Sequence, residues 1–124
     1  MLCTNKQMAT MSESLYEIID NRGMLGYAAA RNFRNLRNAA REYFDIRDNL
    51  MQKYGEQEMD ESGKATARFV IKTNTENGRK FVSELAEFDE IEHEVEIMQI
   101  DPRDAIDHLT GRQMLALEWM FKDE

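Results

Sequence analysis

The sequence predicts an α+β protein, mostly helical: a long central amphipathic helix, three shorter helices and a small two-stranded ribbon. Three observations point there. From Met24 to Tyr54, apolar residues recur at the helical step of about 100° per residue. Ala29, Phe33, Leu36, Ala40, Tyr43, Phe44, Leu50, Met51 and Tyr54 then share one stripe. Two short stretches, Thr66 to Lys72 and Glu94 to Ile100, alternate in polarity as half-buried strands do. Three pairs, Thr10 with Glu13, Thr73 with Glu76 and Thr110 with Gln113, have the spacing of capping boxes that open helices.

Length and composition set the class. The chain has 124 residues, of which 42% are hydrophobic, and a formal net charge of −8. That is enough apolar material for one modest core, and too much for a disordered chain. The single cysteine, Cys3, excludes an internal disulfide framework and fits a reducing compartment. No apolar run reaches the roughly 18 residues of a membrane span, and no signal-peptide core is present. A cytoplasmic protein without membrane association is expected.

In chain order, residues 1–9 show no periodic pattern and read as a disordered terminus, with a single domain over 10–124. The helix opened by Thr10 buries Met11, Leu15, Ile18 and Ile19, and ends near Gly23, which supplies a left-handed conformation. The tight connection that follows implies an antiparallel or sharply angled pair. The long helix is bracketed by Gly26 and Gly55 and carries no proline. Arg47 falls at the centre of its apolar stripe, where a charge is costly unless an acid pairs with it.

Glu56 to Lys64 is polar and turn-rich, with Gly63 at the position that needs positive φ. In the first strand Ala67, Phe69 and Ile71 face one way, and Arg68, Val70 and Lys72 the other. The helix opened by Thr73 places Phe81, Val82, Leu85 and Phe88 inward. The second strand alternates Val95, Ile97 and Gln99 with Glu94, Glu96 and Met98. Arg68 and Lys72 can then oppose Glu94 and Glu96 across the ribbon, in either direction of pairing. Asp101-Pro102 begins a short turn through Leu109. The last helix carries Met114, Leu115, Leu117, Trp119, Met120 and Phe121 almost all round, so it is either buried against the central stripe or exposed for a partner.

Charge is unevenly spread. Residues 22–54 carry seven bases against three acids, and residues 55–124 eight bases against eighteen acids. Internal attraction between the halves is the simplest use of this asymmetry. The acidic half also offers a protein-binding surface, Glu84, Glu87, Glu90, Glu92 and Glu94, with Trp119 and Phe121 as apolar anchors of the last helix. The plain alternative is a solvated acidic face. A row of arginines, Arg31, Arg34, Arg37 and Arg41, flanked by Asn32, Asn35 and Asn38, has the side chains of a nucleic-acid reader. The net charge of −8 argues against it, because counterion release rewards basic domains.

Little points to catalysis. His93, His108 and Cys3 cannot build a closed zinc set. The Asp60–Lys64 turn lacks the acid spacing of a calcium loop. Phosphate-cradling glycine loops and nucleophile–base motifs are missing. No catalytic site, metal or cofactor is expected.

The order of the pieces does resemble a known group. It runs from Lys53-Tyr54-Gly55 through the Asp60-Glu61-Ser62-Gly63-Lys64 turn to Arg68-Phe69-Val70-Ile71-Lys72. Phe81, Glu84 and Leu85 follow, then Glu92-His93-Glu94-Val95-Glu96-Ile97, and finally Leu109-Thr110-Gly111-Arg112-Gln113-Met114-Leu115-Ala116-Leu117-Glu118-Trp119-Met120. Residues 25–122 resemble a family of small phage and prophage proteins of unknown function, from tailed phages of Gram-positive bacteria. Residues 1–21 depart from that pattern. The resemblance implies a phage protein in the bacterial host cytoplasm and brings no activity with it. Two functions follow: a non-enzymatic accessory or assembly factor that binds another protein, phage or host, or an inhibitor of a host nucleic-acid enzyme, such as a restriction or CRISPR nuclease, acting through its acidic surface.

Overall fold

A computed structural model describes residues 1–123. The chain is α+β, with five α-helices and two separate two-stranded antiparallel sheets among the described residues. It divides into two compact units: Met1–Arg41 with Ile91–Glu124, and Glu42–Glu90.

The first unit begins with a correction. Residues 1–9 are not a disordered terminus. Strand β1, Leu2–Thr4, pairs antiparallel with β4, Glu92–Glu94, setting Cys3 opposite His93. That pairing partner lies some ninety residues away in sequence, so nine residues read alone cannot show it. Thr4 caps helix α1, Asn5–Tyr16, in a capping box with Gln7. Thr10, expected to open this helix, lies inside it and donates its hydroxyl to the Lys6 carbonyl. Met8, Met11 and Leu15 form the inner face of α1, and Ile18 is buried in the turn beyond it. Gly23 adopts φ +70° and opens helix α2, Gly23–Ala39, which packs on α1 through Leu25, Ala28, Ala29 and Leu36.

The C-terminal segment completes this core. Asp101 caps a 3-10 turn over Pro102–Asp104. Its carboxyl is held down to about 2 by hydrogen bonds from the Arg103 side chain and backbone. Thr110 and Gln113 form the expected capping box of helix α5, Gly111–Ala116. The last helix is shorter than the pattern implies: the chain leaves it at Leu117 and makes a 3-10 turn, Glu118–Met120. The departure buries Leu117 and Met120 and lets Ile100 exchange backbone bonds with Met120 and Lys122. One regular helix through Phe121 could not supply those extended-chain bonds.

The single long helix is the second correction. After Ala39 the chain leaves helical geometry at Ala40 (φ −107°, ψ 24°) and resumes as α3, Arg41–Tyr54. No proline or glycine causes this. The break falls at the boundary between the units: Leu36 and Ala40 belong to the first, Tyr43 and Phe44 to the second, and all four are buried. A one-residue break barely shifts the helical phase, so periodicity continues across it.

In the second unit α3 leads into β2, Glu56–Met59, which pairs antiparallel with β3, Ala65–Val70. The predicted ribbon is therefore wrong in its partner. Arg68 meets Glu58 and Lys72 meets Glu56, and neither residue opposes Glu94 or Glu96. Strand β2 is exposed along its whole length, which is why it carries no alternating signal. The hairpin turn is organised by Asp60, whose Oδ1 accepts from the Ser62 N–H, the Ser62 hydroxyl and the Lys64 N–H, with Gly63 at φ +81°. Helix α4, Glu76–Asp89, starts from Thr75, two residues later than predicted. Gly78 and Leu85 are its buried residues, Phe81 and Phe88 are half-buried, and Val82 faces out.

Arg47 differs from expectation as well. Among the described residues it forms no ion pair; its guanidinium lies over the Phe44 ring, 4.9 Å from the centroid. A half-buried arginine can keep its head near water and still gain from an aromatic face.

Candidate functional site

The predicted acidic surface does not gather in one unit. Glu84, Glu87 and Glu90 belong to the second unit, Glu92 and Glu94 to the first. Glu84 is half-buried, with its Oε1 3.9 Å from Lys53 Nζ. Glu87 lies on the outer face of α4 and Glu90 caps its end; both are exposed. On β4, Glu92 and Glu94 point to solvent on either side of His93, and Glu94 accepts from the Met1 amino group at 2.8 Å.

The arginine row fares differently. Arg31, Arg34 and Arg37 lie on α2 and Arg41 on α3, so the run of four spans two helices. Arg31 approaches Glu96 at 3.6 Å and Arg37 stands 5.9 Å from the Phe33 ring. Two of the neighbouring asparagines have structural work. Asn32 is fully buried and bonds both backbone groups of Met98, and Asn35 donates to the Glu96 carbonyl. Neither amide is turned outward to read a base.

Trp119 is where the predicted anchors come together. Its ring is half-buried, with Nε1 donating to the Ala116 carbonyl, and its own carbonyl accepts from the Gln99 side chain. The indole bond holds the ring between two shallow depressions in the first unit. One, of about 480 Å³, runs along Glu94–Ile97 and Gln99. The other, of about 670 Å³, is floored by Met114, Leu115 and Phe121 and edged by Glu118, Lys122 and Asp123. Leu115 is 70% exposed, more than any other large apolar side chain among the described residues. The sequence identifies Trp119 and Phe121. It gives no sign that Glu96, Gln99 and Glu118 join them, because two of these come from a segment twenty residues earlier, held by the Ile100–Phe121 bridge.

The arrangement offers contact chemistry. Among the described residues no three His, Cys, Asp or Glu side chains converge as metal ligands. Burial pushes the Cys3 thiol up, away from its reactive thiolate form. His108 is exposed and His93 half-buried. Among the described residues no helix is long and apolar enough to cross a membrane. No family model, curated protein or solved structure matches the chain.

Proposed function

We propose that this chain is a non-enzymatic phage or prophage accessory protein that acts by binding another protein, and that the face around Trp119 makes the contact. The observation that carries it is the exposure of Leu115 beside an indole held by its Nε1 bond to the Ala116 carbonyl, on a backbone that the Gln99 side chain also ties down. A rigid aromatic anchor next to an uncovered apolar side chain is the composition of an interface centre. The resemblance of residues 25–122 to small phage proteins supplies the setting, a bacterial cytoplasm during phage growth.

The test is affinity capture from phage-producing cells, with wild-type protein beside a Leu115→Asp, Trp119→Ala variant shown by circular dichroism to be folded. A phage-encoded protein captured by the wild type and lost with the variant is expected. Capture that is indifferent to both substitutions sinks this assignment.

A second reading, inhibition of a host nucleic-acid enzyme, is favoured by one observation. Glu87 and Glu90 stand exposed on one unit without an ion pair among the described residues. Capture of a host nuclease, abolished by Glu87→Gln with Glu90→Gln, would favour it over the first.

A further inference from the structure

We infer that the Trp119 face takes a cationic amphipathic segment of its partner, with an apolar side chain over Leu115 and lysine or arginine reaching the carboxylates at the rim. This rests on the protein-binding reading and adds the chemistry of what is bound. The floor of the larger depression is apolar: Met114, Leu115 and Phe121. The rims are acidic on both sides of the indole. Glu94 and Glu96 border one depression, Glu118 and Asp123 the other, against Lys122 and the amino group of Met1.

The existing pairs leave these acids available. Glu94 keeps 75% of its side chain exposed beside the amino group, and Glu96 81% beside Arg31. An acidic partner would add carboxylates to a rim already rich in them, at a repulsive cost. A cationic one is drawn in and held in register. An uncharged apolar segment would cover the floor and leave the rim carboxylates partly desolvated without a counter-charge.

Trp119 is the only tryptophan in the chain, so its fluorescence reports binding on this face. The probe is a capped synthetic peptide of alternating leucine and lysine blocks with helical spacing. A peptide of the same apolar pattern with glutamine for lysine is the comparison, and both are titrated into the full chain. The cationic peptide should shift Trp119 emission and bind at least about ten-fold tighter than the glutamine peptide, with affinity falling as salt rises. Glu96→Gln with Glu118→Gln should weaken it about ten-fold. Glu87→Gln with Glu90→Gln, the same charge change on the other unit, should alter it less than about two-fold.

Equal weakening by both variant pairs means diffuse attraction to a negative protein and overturns the inference. Equal binding of the two peptides overturns the cationic requirement. So does the absence of any emission change. In each case a captured partner that still needs Leu115 and Trp119 leaves the protein-binding reading standing, so the two ideas fail separately.

Discussion

Asn32 is bonded twice to the backbone of Met98: its Nδ2 donates to the Met98 carbonyl at 2.9 Å, and its Oδ1 accepts from the Met98 N–H at 2.7 Å. The side-chain amide thus stands where the peptide of a neighbouring strand would. It satisfies a stretch of extended chain that has no strand beside it at that point. Asn32 is fully buried, so no water can replace it. The clamp fixes residues 96–98 on α2 and with them one rim of the Trp119 face.

Asn32→Leu leaves both Met98 groups unpaired and should cost about 3 kcal/mol, from roughly 1–3 kcal/mol for each stranded group. Asn32→Asp keeps the acceptor but sets a carboxylate oxygen against the Met98 carbonyl. A buried aspartate there has its pKa raised. Its protonated form can donate, so this variant should be relatively more stable at low pH and lose that advantage as pH rises through the raised value. Urea unfolding followed by Trp119 fluorescence at pH 4 and pH 7 measures both. A loss under about 1 kcal/mol for the leucine variant would show the clamp to be dispensable.

Three helix-terminal glycines should respond with opposite signs to alanine. In an open helical position the change normally adds about 0.5–1 kcal/mol. A Cβ at Gly26 would overlap the Asn21 carbonyl, and one at Gly78 the Lys72 carbonyl, both backbone atoms. Nothing lies within 4 Å of a Cβ at Gly111. Gly111→Ala should therefore raise the melting temperature, while Gly26→Ala and Gly78→Ala lower it. If all three shift it the same way, these close approaches are not what selects glycine.

The Tyr43 hydroxyl donates to Asp89 Oδ1 at 2.7 Å across the second unit. Burial, reinforced by that bond and by the Asp89 charge, raises the phenol well above its usual 10.0. The fold favours the neutral form. Its contribution is complete below pH 10 and is lost as pH rises above it. Tyr43→Phe should cost about 1.5–3 kcal/mol at neutral pH, the range for a hydrogen bond to a charged group, and should flatten part of the alkaline loss seen by circular dichroism. An unchanged alkaline profile would rule this tyrosine out as its source.

Arg47→Met should be nearly neutral, within about 1 kcal/mol, since the residue faces the Phe44 ring and strands no acid when removed. Chemical denaturation decides it. A loss above about 3 kcal/mol would point to a buried ion pair of the kind the sequence suggests.

What the sequence determined by itself was local. The class, the helical faces of Leu15, Leu36 and Leu85, the Thr110–Gln113 box, and the turn at Ser62-Gly63 all depend on residues within a few positions of one another. Helical period, capping and turn chemistry are short-range effects, so a short window shows them. Trp119 and Phe121 stood out too, as apolar residues in excess of what one helix face can bury. Tertiary structure decided the partnerships. Cys3 lies opposite His93, Arg68 meets Glu58 and not Glu94, and Ala40 interrupts the helical stripe. Each choice depends on loop closure and on which distant surface an element buries against. Many pairings satisfy the same local pattern, and only the packed chain selects among them.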